Sequence, residues 1–217
     1  MSNSSIELFR KAFAVHWTLS AFVLVATVGL ATTSSASGDA SEVSASQVAD
    51  SRLPAEKQTT LGLYLTAREA YEKWKAAPEK VIVLDVRTPE EFIFVGHAEM
   101  VWNIPVAAQT YQWDVDKKQF PMQPLSDFVS RVQKVAKPDD TLLVMCRSGG
   151  RSAIAVNLLG RAGFKNVYNI TDGMEGDVVK DPDSVFRNQR LVNGWKNSGL
   201  PWTYHIDPVR MVLPPQR

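Results

Sequence analysis

The stretch that most constrains this chain is residues 142–152, which read LLVMCRSGGRS. The apolar residues 142–145 are typical of a short buried strand, and residues 152–160 have the pattern of a helix. Between these two elements lie Cys146, the only cysteine of the chain, and a loop rich in arginine and glycine. A strand that runs through such a loop into a helix directs several backbone N–H groups at one spot, together with the positive end of the helix dipole.

Cys146 is predicted to be a nucleophile at that spot. Arg147 and Arg151 add full positive charges, so the thiol should ionise more easily than a free cysteine. The thiolate is the reactive form, and the site therefore suits covalent catalysis on an anionic, electrophilic substrate. The competing interpretation is that Cys146 is a small buried hydrophobe, as most lone cysteines are. The residues predicted to bind the substrate are Arg147, Ser148, Gly149, Gly150, Arg151 and Ser152.

Composition argues against several other kinds of protein. The 24 Lys and Arg residues and the 23 Asp and Glu residues leave a formal net charge of +1, so no basic field indicates nucleic acid binding. A single cysteine cannot form an internal disulfide. The three histidines, His16, His97 and His205, are scattered along the sequence, so no metal centre is predicted, and neither is any other cofactor.

Residues 1–36 are predicted to be a signal peptide. Arg10 and Lys11 precede a long uncharged run, residues 12–31, and small residues around Ala36 provide a cleavage site. An uncleaved membrane anchor is the alternative, because the run reaches the length of about 20 residues that a spanning helix needs. Either way the folded part is expected to be exported to the periplasm, or anchored so that it faces the periplasm. Residues 37–58, rich in Ser, Ala, Asp and Glu, are interpreted as a flexible linker.

The rest of the chain alternates between helical and strand-like patterns. Thr66 with Glu69, and Thr88 with Glu91, are capping boxes that begin two helices. Strands are predicted at residues 81–87, 100–104, 142–145 and 167–170. Further helices are predicted around residues 128–135, at 152–160 and near 189–197, with a loop or hairpin at residues 111–124. This alternation predicts an α/β domain with a mostly parallel central sheet flanked by helices.

The predicted sheet also places two candidate site residues together. In open α/β sheets, ligands bind beyond the carboxyl ends of the strands, and Cys146 and Asp85 each lie at or near such an end. The helix that begins at Thr88 is expected to bury Phe92, Phe94 and Val95. Asp85 and Arg87 are expected to form a charge pair that supports the cysteine loop.

Several short motifs resemble the signatures of rhodanese-like sulfurtransferase domains. Residues 84–92 read LDVRTPEEF, and GHA at 96–98 and NIP at 103–105 follow in the order of that family. The loop CRSGGRS resembles the family's active-site loop, and GWKNSGLPW at 194–202 is similar to its C-terminal segment. The resemblance covers about residues 60–204. It implies a single rhodanese-like domain at residues 59–205, followed by a C-terminal tail at 206–217.

Loop length favours sulfur chemistry within the group of related folds. From Cys146 to Arg151 the loop spans six residues, whereas the loop of the related dual-specificity phosphatases is one residue longer. The resemblance to the six-residue loop of the rhodanese-like domains implies that the loop has space for one sulfur atom bound to the cysteine. The longer loop of the phosphatases has space for a phosphate. A phosphatase or arsenate reductase is therefore the weaker alternative.

The resemblance also implies a mechanism and its partners. Cys146 would accept a sulfur from a small anionic donor such as thiosulfate and pass it to cyanide, to a thiol or to a sulfur-carrier protein. The N–H groups of residues 147–152 would hold the terminal sulfur, while Arg147 and Arg151 would bind the anion. A persulfide carrier or binding module with little turnover remains an alternative. The chain departs from the family pattern after residues 172–174. The family often has a tryptophan within a few residues of this point, whereas this chain has the charged residues 178–190. This segment is interpreted as a flap near the site or as a partner surface.

Overall fold

The computed structural model describes residues 53–214, so the predicted signal peptide and residues 37–52 of the predicted linker lie outside it. The strands in this range are β1 Tyr64–Leu65, β2 Val81–Asp85, β3 His97–Ala98, β4 Trp102–Asn103, β5 Ala107–Gln109, β6 Met122–Pro124, β7 Thr141–Met145, β8 Asn166–Ile170 and β9 Trp202–Thr203. The α-helices in it are α1 Ala67–Ala76, α2 Pro89–Val95, α3 Phe128–Val132 and α4 Gly150–Arg161. Short 3₁₀ turns lie at Ala55–Lys57 and Pro208–Arg210.

A five-stranded sheet with the order β1-β8-β7-β2-β4 forms the centre of the domain, and its neighbouring strands pair in parallel. The longest pairing joins β2 to β7, with Asp85 opposite Met145. Parallel strands are usually covered on both faces, and β2 and β7 are accordingly apolar along almost their whole length. The predicted α/β class with a mostly parallel sheet is confirmed.

Side chains alternate along the central strand β7 and so divide the core in two. Leu142 and Val144 face one cluster, which also contains residues of α3 and α4. Leu143 and Met145 face the other cluster, which contains residues of α1 and α2 together with the buried Trp195. Successive strand residues point to opposite faces, and this period gives the domain three layers with the sheet in the middle.

Both predicted capping boxes are present. The Thr66 hydroxyl accepts a hydrogen bond from the Glu69 N–H, and the Thr88 hydroxyl accepts one from the Glu91 N–H. The burial predicted for α2 was partly wrong, because Phe92 is buried but Phe94 is 78% exposed. A helix of two turns can present only one narrow stripe to the core, and Phe92 occupies it.

The predicted helix near residues 189–197 is absent, because this part of the chain forms turns. Gly194 has a φ of +95° that a helix does not allow, and a Cβ there would lie 2.4 Å from the backbone nitrogen of Gly176. The Asn193 side chain accepts a hydrogen bond from the Asp177 N–H at 2.7 Å. These contacts with residues 176 and 177 hold this part of the chain in a non-helical conformation.

The predicted insertion at residues 111–124 is a hairpin. β5 and β6 pair in antiparallel fashion, and a bridge between Asp114 and Gln119 lies nearer the tip. The Tyr111 hydroxyl donates a hydrogen bond to Glu90 of α2 at 2.7 Å, which fixes the hairpin beside that helix.

Residues on both sides of the predicted domain, residues 59–205, make contacts with it. Lys57, from the end of the predicted linker, is almost buried and forms an ion pair with Asp177 at 2.8 Å. In the predicted C-terminal tail, Met211 pairs with Asn103 beside β4, and the Val212 carbonyl accepts a hydrogen bond from Arg131 at 3.0 Å. Residues 53–58 and 206–212 therefore pack as parts of the domain. Among residues 53–214 there is no helix with the length and apolar character that crossing a bilayer requires.

Candidate active site

Cys146 lies directly after β7 and before α4, at the carboxyl edge of the sheet. The residue is only 2% exposed and belongs to one of the two core clusters. Its sulfur nevertheless meets polar groups, because the Gly149 N–H donates to Sγ at 3.2 Å and the Ser152 Oγ lies 3.5 Å away. The sulfur is thus buried, but it is held by a backbone donor of its own loop.

Gly149 gives the loop its shape. Its φ is +99°, and a Cβ at this position would lie 2.2 Å from the Thr171 carbonyl oxygen. Only glycine accepts both the left-handed backbone and this close approach. The same residue precedes the first turn of α4, so its N–H points back at Cys146. A backbone N–H aimed at the sulfur is the kind of donor that stabilises negative charge there.

Ser152 is connected to a buried asparagine that the sequence analysis missed. The Ser152 Oγ lies 2.6 Å from Asn169 Oδ1, and the Asn169 amide donates to the carbonyls of Lys57 and Gly149 at 2.9 and 3.1 Å. Because a hydroxyl carries one hydrogen, this short contact directs the Ser152 hydrogen away from the sulfur. An asparagine at a position of β8 that is buried, next to Ile170, was the signal available in the sequence.

Asp85 and Arg87 form the predicted charge pair. Arg87 Nη2 lies 2.7 Å from Asp85 Oδ2, and both residues are 0% exposed. Burial lowers the pKa of Arg87, but the charge and hydrogen bonds of Asp85 outweigh burial and raise it overall. Arg87 also donates to the Gly96 carbonyl at 2.8 Å, so the pair fixes the end of β2 beside the cysteine loop.

Arg151 is engaged by a residue that the sequence analysis did not assign to the site. Its two terminal nitrogens bind the two carboxylate oxygens of Glu91 at 2.5 and 2.6 Å. Burial lowers the pKa of Arg151, but the hydrogen bond and charge of Glu91 raise it above its ordinary value. Burial likewise raises the pKa of Glu91, yet Arg151 brings it below its ordinary value. The pair is thus charged on both sides, and the guanidinium predicted to bind an anion already holds a carboxylate.

The opposite side of the loop faces the segment after β8. The Cys146 carbonyl accepts a hydrogen bond from the Met174 N–H at 2.8 Å, and the Arg147 carbonyl accepts bonds from the N–H groups of Glu175 and Gly176 at 2.9 and 3.2 Å. The Arg147 side chain is exposed. Ser148 and Gly150 line a groove of about 720 Å³ that also contacts residues 177, 178, 180, 190, 192 and 193. The charged segment therefore does lie next to the cysteine loop.

The residues that the sequence analysis assigned to the site are thus brought together, in unequal roles. Cys146, Gly149 and Ser152 meet at the sulfur, and Asp85 and Arg87 form a buried ion pair at the end of β2. Arg151 is bound to Glu91, whereas Arg147 is exposed. Nowhere in residues 53–214 do three or more His, Cys, Asp or Glu side chains form a group suited to a metal ion.

The fold and the site together define a class of protein. It is an α/β domain whose cysteine lies at the carboxyl edge of a parallel sheet, with the sulfur held by the loop that leads into the next helix. The sequence model of the Rhodanese-like domain family matches residues 66–178, more than half of the chain. The chain belongs to that family.

Relatives of this chain include both characterised and uncharacterised proteins. Uncharacterized protein RP600 of Rickettsia prowazekii is 35% identical over 122 residues, which span 56% of this chain and 82% of that protein. Thiosulfate sulfurtransferase 18 of Arabidopsis thaliana is 38% identical over 92 residues, which span 42% of this chain and 61% of that protein. The crystal structure of Rv0390 from M. tuberculosis is similar with a TM-score of 0.52 and 26% identity, covering 65% of this chain and 96% of that one.

Proposed function

We propose that this protein is a sulfurtransferase that moves a sulfane sulfur from a donor such as thiosulfate to a thiophilic acceptor. The observation that carries the proposal is the 3.2 Å approach of the Gly149 N–H to Cys146 Sγ within a six-residue loop. Such a loop suits a singly substituted sulfur whose negative charge is held by backbone donors. The relative named thiosulfate sulfurtransferase supports the same chemistry.

The reaction proceeds in two displacements at sulfur. The Cys146 thiolate attacks the outer sulfur of thiosulfate, the bond between the two thiosulfate sulfurs breaks, and sulfite leaves with that electron pair. The product is a Cys146 persulfide anion, and no proton is gained or lost. A cyanide ion or a thiolate then attacks the outer persulfide sulfur, giving thiocyanate or a new persulfide and restoring the thiolate.

A persulfide carrier with slow turnover is the second candidate. It is favoured by the burial of Cys146, which is only 2% exposed and so offers little surface to an acceptor. The two candidates share the first displacement and differ in the second. Turnover measured with cyanide and with small thiols as acceptors separates the two candidates. A carrier should release one equivalent of sulfite in the first displacement and then stop.

The test of the common step is mass spectrometry of the intact protein after incubation with thiosulfate. The wild-type protein is expected to gain the mass of one sulfur atom, and a digest is expected to assign it to the peptide that contains Cys146. Cys146→Ala is expected to gain nothing while its circular dichroism stays unchanged. A wild-type protein that stays unmodified, or an adduct that survives in the alanine variant, would contradict the proposal.

We also propose that the protein works in the periplasm, delivered there by residues 1–36 as a cleaved signal peptide or as an anchor. An exported enzyme would meet a small anionic donor and a thiol, cyanide or sulfur-carrier acceptor outside the cytoplasm. Fractionation of the cells that express the full chain, with mass measurement of its N-terminus, tests this. Full-length protein in the cytoplasmic fraction would contradict export.

A further inference from the structure

We propose that Arg190 and Arg147 form a subsite that binds the sulfonate end of thiosulfate, or of an organic thiosulfonate, at the cysteine loop. This inference rests on the proposed function and adds the residues that hold the donor's charge. Arg190 belongs to the charged segment between Gly176 and Gly194, here called the 177–193 segment.

Hydrogen bonds tie Arg190 to the loop through one intermediate residue. Arg190 Nη1 donates to the Gly176 carbonyl at 2.6 Å, and the Gly176 N–H donates to the Arg147 carbonyl at 3.2 Å. Gly176 packs closely against the backbone of Asn193, because a Cβ there would lie 1.8 Å from the Asn193 carbonyl oxygen. The guanidinium of Arg190 is therefore held beside the residue that follows the nucleophile.

The two arginines differ from Arg87 and Arg151 in having no ion-pair partner within 4.0 Å among the residues described. Arg87 and Arg151 each contact a carboxylate, at 2.7 and 2.5 Å. Within residues 53–214, neither Arg147 nor Arg190 has a carboxylate oxygen within 4.0 Å. The carboxylates of Glu175 and Asp177 act on Arg190 only from beyond ion-pair distance, and Asp177 is itself paired with Lys57 at 2.8 Å. The guanidinium groups of Arg147 and Arg190 are therefore still able to bind an anionic ligand.

The charges that act on the pKa of Arg190 agree with this arrangement. Burial lowers the pKa of Arg190, and the positive charge of Arg147 lowers it further. Glu175, Asp177 and Cys146 act in the opposite direction and offset part of this lowering. Repulsion between the two guanidinium groups is relieved when an anion lies between them.

The groove beside the loop has room for more than the sulfonate. Its volume is about 720 Å³, and the cations Arg190 and Lys180 line the part of it that also contains Ser148 and Gly150. The carboxylates of Glu56 and Asp172 line it as well. Lys57 also lines it but is neutralised by Asp177 at 2.8 Å. A donor with a substituent on its sulfonate sulfur could therefore extend along the groove, away from the thiol.

Binding of sulfite, the group that leaves in the proposed reaction, tests the subsite without any sulfur transfer. The host is the inert Cys146→Ala protein, and calorimetry measures its affinity for sulfite. Adding Arg190→Gln is expected to weaken sulfite binding about three- to tenfold, as loss of one partly exposed charge should. Arg190→Lys should retain most of the affinity, because the charge remains.

Arg187 provides the matched control, since it lies exposed on the same segment. Arg187→Gln should leave sulfite affinity unchanged, and the Arg190 effect should shrink at high ionic strength, which a merely structural role would not produce. The subsite is wrong if sulfite does not bind, or if the two glutamine variants bind it equally. Failure of the sulfurtransferase proposal would appear elsewhere, as absence of the Cys146 sulfur adduct in the otherwise wild-type protein.

Discussion

The two sides of the cysteine loop use the same residue type for different purposes. On the side of α2, Arg87 and Arg151 are each neutralised by a carboxylate. On the side of the 177–193 segment, Arg147 and Arg190 have no such partner among the residues described. The comparison teaches that arginine near a nucleophile is not by itself an anion site. The role of such an arginine depends on whether its guanidinium group is already paired with a carboxylate.

Burial explains why the two sides differ. Arg87 is 0% exposed, and a charge removed from water must be paired or it destabilises the fold. Arg147 is exposed, so water can solvate its charge and the fold tolerates the missing partner. The α2 side therefore holds the loop in place, while the charges of Arg147 and Arg190 on the other side are in no ion pair among the residues described.

The largest effect expected from the difference between the two sides is a change in the free energy of unfolding. Arg87→Met should lower the free energy of unfolding by about 3–5 kcal/mol, because it leaves the buried Asp85 carboxylate without its positive partner and with only the backbone N–H of residue 87 as a donor. Arg147→Gln should change it by no more than about 0.5 kcal/mol, as an exposed substitution usually does. Urea denaturation followed by circular dichroism measures both values.

A second variant separates loss of the ion pair from loss of packing. Asp85→Leu combined with Arg87→Met removes both charges and should recover a large part of the stability lost in the single variant. If the single and double variants are equally unstable, Arg87 acts through its shape. If Arg87→Met is as mild as Arg147→Gln, the distinction between the two sides is wrong.

The sequence predicted those parts of the molecule that depend on neighbours in the chain. The capping boxes at Thr66 and Thr88 each involve residues three apart, and both are present. The apolar runs of β2 and β7 likewise carry their own signal, and the parallel arrangement follows from their alternation with helices. The position of Cys146 at the sheet edge followed from the same pattern.

The parts that the sequence did not predict depend on contacts between distant residues. Arg151 and Glu91 are 60 positions apart, so nothing near Arg151 revealed that its guanidinium is already occupied. Asn169 reaches back to Lys57 across 112 positions. The helix near residues 189–197 was wrong because the approach of Gly176 to Gly194 imposes a left-handed backbone, and helical periodicity carries no information about that contact.

A smaller effect is expected at the ion pair between Glu91 and Arg151. Glu91→Gln keeps a side chain that can complete the capping box but removes the negative charge. It should lower the free energy of unfolding by about 1–3 kcal/mol, the usual contribution of a charge-assisted hydrogen bond. If pairing is what keeps Arg151 from binding anions, the same variant should bind sulfite more tightly. Unchanged or weaker sulfite affinity would show that Arg151 cannot reach the site even when it is free.

The smallest expected effect is the pH dependence of that same pair. Because Arg151 brings the pKa of Glu91 below its ordinary value, the carboxylate contributes stability that is present above the pKa of the unfolded chain, about 4.3 for glutamate. That contribution is lost as the pH falls through the folded-state pKa, which lies lower still.

The stability difference between wild type and Glu91→Gln isolates this contribution from the other acidic groups. Asp172, whose pKa burial raises, acts in the opposite sense, but it is present in both proteins and cancels. The difference should therefore be constant from neutral pH to about pH 5 and shrink in more acidic solution. A difference that stays constant down to the acid transition would mean that Glu91 contributes through packing alone. The α2 side would then be held by shape rather than by charge, and the contrast with Arg147 and Arg190 would lose its physical basis.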